Sequence, residues 1–438
     1  MAVTISSLIK QFFVFWATLV LIIVFYTDFY LPSSVAISDY LMTFHTAGWI
    51  AAHGMWSQLY PPAQATSFAG APFDKIAHQL LPLMPASSVA EYMYMPISAY
   101  IFAPFSQLQP VFSLFAWQLT SLIAIGLSAF LIFSAPQNEE KAAPLSRPIV
   151  MRAIVATCAT LAFFPTMFTI WIGQVGLLFG LLPLCLGYFW LRRGLDLPAG
   201  LAFALLFFKP QMLIPAFFML ACQLAQKRWL ALIGMILGIM TMAQCNSFIS
   251  GPELFSSWMH CLQMSDKIYS DPSHGVAVHL ATSMPRAILL SQPVAQHAAL
   301  KPLLYGAALV LLLLGLGATL KFSLAPVRAE TKINLAFILG CLALPVVVPH
   351  LFLYDLSVLS PLGFLIWGMT QGFSEITGLQ KTLARLTALT WLSVTVYCSF
   401  MLCNQHLAQP LLLVSVFSFN YIWATGRILS YKRQAAES

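Results

Sequence analysis

The chain has 438 residues, with 21 Lys and Arg, 14 Asp and Glu, 60% hydrophobic residues and a mean hydropathy of +0.83. Only 8% of residues are charged, against about a quarter in soluble domains, so a cytosolic enzyme, a nucleic-acid binder and a disordered chain are excluded. The net charge of +7 then reads as the Lys and Arg excess of cytoplasmic loops, not as a nucleic-acid footprint.

Continuous apolar runs of helical length predict an all-α polytopic membrane protein. A β-barrel would alternate instead. The first span is predicted at 12–30 and lacks a small-residue cleavage site after it, so it reads as a retained helix. A polar, Pro-containing stretch follows, with a half-span at 97–108. Further spans are predicted at 111–135, 153–170, 175–191, 229–249, 303–322, 333–349, 352–370, 386–403 and 409–428. Residues 197–226 are apolar but interrupted at Phe208-Lys209-Pro210, which predicts two short helices meeting at the proline. About twelve transmembrane helices result, in a single membrane domain over 1–438. The eight cysteines show no CxxC pattern and nearly all lie inside apolar runs, as buried small hydrophobes do.

Charge sets the orientation. With the N-terminus inside, 16 of the 21 basic residues fall on the cytoplasmic side, and Lys75, Lys209, Lys267, Arg286 and Lys301 on the other. The bias survives only if 197–226 goes out and back as a broken pair. Both termini are then cytoplasmic, in a multi-pass protein of the inner (plasma) membrane. Two long loops, 31–96 and 250–301, face outward.

Several polar residues sit where a membrane disfavours them. Asp39 opens a short segment whose apolar spacing suits an amphipathic helix lying on the membrane; it is either an N-cap or a proton acceptor. Lys209 is either a snorkelling lysine or a cation placed for an anionic ligand; a charge at a helix centre costs about 2.5–3.5 kcal/mol on insertion scales. Gln174, after Gly173, interrupts a hairpin and either satisfies freed backbone groups or joins a site. Asp355 is a cap or a partner for Lys209. His350 is an interfacial or a catalytic histidine. Asp39, Gln174, Lys209, His350, Asp355 and His406 all come out on one face, which is a functional-site signal. The histidines of the second loop (His260, His274, His279 and His297) lack zinc-site spacing, and no metal or other cofactor is expected.

These pieces together resemble glycosyltransferase family 87, of the GT-C class of membrane glycosyltransferases. Asp39-Tyr40 with its small-residue helix, His53-Gly54 and Leu59-Tyr60-Pro61 resembles the family's opening pattern. Tyr94-Met95-Pro96 resembles its Tyr-Pro-Pro segment, with Met where proline is common. Gly173-Gln174 resembles its Gly-Gln turn. Phe208-Lys209-Pro210-Gln211 with Lys227-Arg228-Trp229 resembles its Lys-Pro segment and basic-Trp tail, and Pro349-His350 with Tyr354-Asp355 its late Pro-His and Tyr-Asp segment. The 250–301 loop matches nothing in this pattern.

The resemblance implies inverting transfer of a sugar, mannose by analogy with the family's mannosyltransferases. The donor would be a polyprenyl-phosphate sugar and the acceptor an envelope glycan or lipid, on the periplasmic side. Asp39 would be the general base. Lys209, His350, Gln174, Asp355 and Tyr60 would bind the donor's phosphate and sugar. The alternative is a lipid or sugar transporter, for which two broken helices in corresponding halves are expected; the sequence shows one clear break.

Overall fold

A computed structural model describes residues 5–31, 38–135, 147–269, 280–360, 363, 377–403 and 409–431. The regular structure of the described residues is helical, joined by turns and irregular segments, with a single isolated antiparallel bridge between Ala281 and Phe352. Among the described residues, seven helices are long and apolar enough to cross a membrane. They include α1 (Ile5–Tyr30), α5 (Pro110–Ser134), α13 (Val294–Ser323), α14 (Ala329–Val347), α15 (Thr377–Cys403) and α16 (Pro410–Leu429). The seventh, Leu230–Ile249, is the first part of α11 (Leu230–Tyr269). This is a polytopic membrane protein.

Packing ranks these helices. The apolar window of α14 is 89% buried, which makes it the central helix, whereas that of Leu230–Ile249 is 17% buried and faces outward. Exposed Ile233, Leu237 and Met240 then need an apolar solvent, which the acyl chains supply.

Three predicted spans are modified. The run at 153–170 is α6 (Arg147–Leu161) and α7 (Phe164–Trp171), bent by 81° before Pro165. A proline at the start of α7 loses no helical hydrogen bond, so the break is inexpensive. The run at 175–191 begins with a π-helical turn, Leu177–Leu181, and continues as α8 (Leu182–Arg192). The run from 352 opens as a 3₁₀ turn, Leu353–Leu359, and its remainder lies largely outside the described residues.

The break at Lys209 is present. α9 (Asp196–Ala204) tightens into a 3₁₀ turn, Leu205–Phe208. Lys209 is extended (φ −141°, ψ 76°), and the chain restarts through Pro210–Met212 into α10 (Leu213–Ala225). Proline disfavours a helical conformation in the residue before it, and that residue is Lys209.

The stretches read as long loops are partly helical. Residues 31–96 contain a π-helical turn, Tyr40–His45, running into α2 (Thr46–Ala52), and also α3 (Pro72–Leu80). α4 (Pro96–Phe102) follows. Within 250–301, α11 continues to Tyr269 beyond a break at Gly251, and α12 (Met284–Leu290) precedes α13. The segment from Tyr40 to Ala51 is not an amphipathic helix lying on the membrane. Beside the apolar Tyr40, Leu41, Phe44, Ala47 and Ile50, the polar His45 and Thr46 are also buried, and His45 meets Ser113 of α5.

Two hydrophobic clusters result. The larger surrounds α14; the smaller joins Tyr40–Ala51, residues 59–102 and the end of α11. Val175, Phe179 and Phe208 belong to the smaller cluster, and Leu177, Leu206, Leu353 and Leu356 to the larger. Gln174, Lys209 and Asp355 therefore lie along the seam between them. The helical run from Leu177 to Arg192 carries the chain away from this seam by about 24 Å at 1.5 Å per residue. At its far end Arg192 pairs with Glu330 (2.9 Å), and Arg228 with Asp196.

Candidate active site

Asp39 begins the π-helical turn but does not cap it, since its side chain bonds none of the turn's N–H groups. Its Oδ2 accepts a hydrogen bond from Gln174 Nε2 at 2.9 Å, 135 residues away in the chain. Backbone docking makes this possible. Ile172 O accepts both Tyr40 N–H (3.0 Å) and Ser38 Oγ–H (3.0 Å). Gly173 lies between, at φ +74°, and a Cβ there would stand 2.3 Å from Tyr40 Cβ. Only glycine permits both that conformation and that approach.

Tyr40 fixes the other side of the turn. Its ring stacks on Trp117 at 5.5 Å, and its hydroxyl meets Ser113 Oγ at 3.0 Å. His45 Nδ1 meets the same Oγ at 3.0 Å. The aspartate is thus the mobile-free end of a buried polar and aromatic anchor.

Gly173→Ala is expected to lower stability by about 2–4 kcal/mol, from positive-φ strain plus overpacking. It should also reduce activity by displacing Asp39. Thermal unfolding and a transfer assay would check both; wild-type values in each would refute the close approach.

Lys209 projects from the break into the seam and is 1% exposed. Its Nζ lies 2.5 Å from Asp355 Oδ1, and Asp355 is also 1% exposed. The ammonium stands 5.0 Å from the centre of the Tyr354 ring. A Cβ on Gly176 would lie 3.1 Å from Nζ and 3.7 Å from Ser357 Oγ, so the missing side chain leaves the lysine head its place.

Asp355 also serves the backbone, because its Oδ2 accepts from Phe352 N at 3.0 Å. Both sequence alternatives for it, cap and lysine partner, are therefore present together. The 3₁₀ turn that carries it is tied to α7 through Thr169 Oγ1–H to Tyr354 O (2.9 Å) and the Thr166–Ser360 hydroxyl pair (3.0 Å).

These groups form one electrostatic unit. Burial raises Asp39's carboxyl above its ordinary value; the Gln174 hydrogen bond and the Lys209 charge pull it down, and Asp355 pushes it up. Gln174 Oε1 and Ser357 Oγ are buried with no hydrogen-bond partner. Unpaired buried polar atoms are expensive, and their presence beside a buried cation marks a place for ligand oxygens.

The other predicted residues stand further out. His350 is half-buried with its ring edge-on to Phe352 at 4.6 Å. The hydroxyl of Tyr60 donates to Tyr94 O at 2.5 Å, so the residue supports the irregular segment that carries Tyr94. His406, His274 and His279 lie outside the described residues. Among the described residues no three His, Cys, Asp or Glu stand together as metal ligands.

Three further residues stand close to these charges, and only one of them, Glu91, carried no sequence signal. Tyr94 and Tyr354 feel the charges of both Asp39 and Asp355, and Glu91 feels Asp39. Each tyrosine belongs to a motif already noted, whereas Glu91 sits in an irregular segment with no periodicity to mark it.

The fold and site define a membrane protein with a buried polar centre built from side chains on four separate segments. The model for glycosyltransferase family 87 matches residues 92–349, more than half of the chain. The protein belongs to glycosyltransferase family 87 and is a glycosyltransferase. No curated protein and no solved structure matches it. Gln174 and Lys209 fall inside the matched region; Asp39, Tyr60, His350 and Asp355 fall outside it, and Asp39, Tyr60 and Asp355 are joined to it by the contacts above.

Proposed function

We propose that the protein transfers a sugar, mannose by family analogy, from a polyprenyl-phosphate donor to an envelope glycan or lipid acceptor. Inversion at the anomeric carbon would occur on the periplasmic side of the inner membrane. The observation that carries this reading is a half-buried carboxyl, Asp39, at the start of a π-helical turn, held by Gln174 along the same seam as the buried ammonium of Lys209 at a helix break.

In this reading Asp39 takes the proton of the acceptor hydroxyl. The acceptor oxygen attacks the anomeric carbon on the face opposite the phosphate. The bond from that carbon to the phosphate oxygen breaks, and its electron pair leaves with polyprenyl phosphate. Lys209 holds the phosphate and offsets the charge it gains, while Asp355 aims the ammonium. Gln174 keeps Asp39 turned toward the seam, and Ser357 offers the phosphate a hydroxyl. His350, at the mouth of the same turn, contacts the donor's sugar or phosphate. One base suffices, because the leaving phosphate needs no protonating acid.

The membrane setting fits a lipid-borne donor, whose tail stays among acyl chains. The basic residues gathered at the ends opposite the seam, Arg192 and Arg228 among them, support a cytoplasmic assignment for those ends.

The test is transfer of radiolabelled sugar by purified protein in lipid, from a panel of polyprenyl-phosphate sugars and nucleotide sugars. Label should pass from a polyprenyl-phosphate donor alone; use of a nucleotide sugar only would overturn the donor assignment. The rate should also rise with pH through a range above 3.8, the ordinary value for aspartate, because burial raises Asp39 and only its ionised form accepts a proton. A rate limb at or below that value would argue against Asp39 as the base.

A further inference from the structure

Two helix ends far from the seam are built alike, and the mechanism above uses neither. α8 closes with Gly194 N–H on Leu191 O (3.1 Å) and Leu195 N–H on Trp190 O (2.9 Å). α10 closes with Lys227 N–H on Leu224 O (2.9 Å) and Arg228 N–H on Gln223 O (3.0 Å). Both are the helix stop in which one residue turns left-handed, a position that favours glycine. That residue is Gly194 (φ +73°) in the first turn and Lys227 (φ +59°) in the second. Among the described residues Lys227 is the one non-glycine at positive φ, a conformation that costs a side-chain-bearing residue energy. A helix C-terminus favours a cation, but Gly194 shows that the same turn closes without one.

The two turns are tied together. Arg228 forks onto Asp196, Nε to Oδ2 at 2.8 Å and Nη2 to Oδ1 at 2.5 Å. A Cβ on Gly194 would lie 3.7 Å from the same Nη2. Asp196 thus neutralises Arg228. Lys227 beside it and Arg193 across the tie are exposed, and neither has a carboxylate partner among the described residues. Arg193 is held over the Phe189 ring at 4.3 Å. Their depth identifies the medium. Residues 230–249 form a span with only 17% of its apolar window buried, so Leu230 marks one edge of the hydrocarbon. Trp229 (57% exposed) and Leu230 (54%) flank Lys227, and Leu195 (48%) flanks Arg193. A tryptophan exposed at that edge stands at headgroup level.

We propose that Arg193 and Lys227 together bind the phosphate of an anionic phospholipid, on the bilayer surface opposite the seam. Trp229 and Leu195 lie against its glycerol, and an acyl chain runs on along Leu230, Ile233 and Leu237, which are exposed three and four residues apart on one face of α11. Charge selects the headgroup: two unpaired cations suit a net negative lipid, whereas a choline headgroup masks its phosphate with its own cation. The apolar rim selects lipid over a soluble phosphate, which would gain nothing from exposed Leu195, Trp229 and Leu230. The proposal is independent of the sugar-transfer reading.

The test is native mass spectrometry of the full chain in neutral detergent, titrated with phosphatidylglycerol or with phosphatidylcholine. The wild type should bind phosphatidylglycerol the more tightly. Arg193→Ala and Lys227→Gly should each weaken phosphatidylglycerol binding about fivefold, and the double variant about 25-fold, the usual weight of one and of two basic residues at an anionic membrane surface. Phosphatidylcholine affinity should stay the same in all of them. Lys227→Gly also removes the left-handed side chain, so its unfolding temperature should equal or exceed that of the wild type, and its loss of lipid cannot then be a loss of fold. Equal affinity of the wild type for the two lipids, or undiminished phosphatidylglycerol affinity in the double variant, would overturn the proposal. Displacement of phosphatidylglycerol by an equal concentration of glycerol 3-phosphate would overturn it in favour of a soluble phosphate ligand.

Discussion

Asp39→Asn is expected to abolish sugar transfer while leaving the fold at least as stable as the wild type. The chemical half follows from charge. Asparagine keeps the shape, and its Oδ1 can still accept the Gln174 amide that Asp39 accepts at 2.9 Å, but it cannot take a proton. Loss of a general base typically costs about 10²–10⁴-fold in rate.

The stability half follows from linkage. Burial raises Asp39 above its unfolded value, so the folded state binds that proton more tightly than the unfolded chain does. A carboxyl of this kind favours the fold when protonated, and that contribution is lost as pH rises through its folded value. At neutral pH the ionised Asp39 therefore opposes folding, and a neutral asparagine relieves the cost. Thermal unfolding at pH 7 should give an equal or higher Tm for Asp39→Asn, and at pH 4 the difference should shrink. A lower Tm at both values, together with lost transfer, would recast Asp39 as a structural residue.

Much of this site was readable from sequence because a membrane makes polar residues conspicuous. Lys209 stood out inside an apolar run, and the proline after it forced a break whatever the tertiary context. Gly173-Gln174 was visible as an interruption, although its purpose was not. The positive φ and the contact with Tyr40 exist only once the 172–174 turn docks on the Asp39 helix.

The helix over 40–51 was misplaced for a related reason. Its apolar spacing marks one buried face, but His45 and Thr46 off that face are buried as well, His45 against Ser113 of α5, and no pattern within twelve residues reports what packs there. Glu91 was missed because its setting is entirely tertiary. In sequence it is one acid in an irregular stretch; in the fold, Trp258 and Phe44, in the turn that Asp39 begins, hold its segment. The pairing of Lys209 with Asp355 was one of two readings, and the second, a cap, is also satisfied by the same side chain.

That double service allows the role of Lys209 to be separated from its structural contribution. Lys209 and Asp355 are each 1% exposed and 2.5 Å apart, so removing one leaves the other charged and buried. Lys209→Met should therefore destabilise the protein by about 3–5 kcal/mol, the usual cost of breaking a buried ion pair from one side. Adding Asp355→Asn removes the stranded charge while keeping an oxygen for the Phe352 N–H. The double variant should recover much of the lost stability, giving a coupling free energy on the order of 2 kcal/mol or more in denaturant unfolding. Transfer should not recover with it, because the ammonium that meets the phosphate is still missing. If Lys209 served only to neutralise Asp355, the double variant would regain both stability and turnover with the wild-type donor KM. Recovery of one without the other is what a phosphate-binding lysine predicts, because folding needs only that the charges cancel, whereas the reaction needs the positive one.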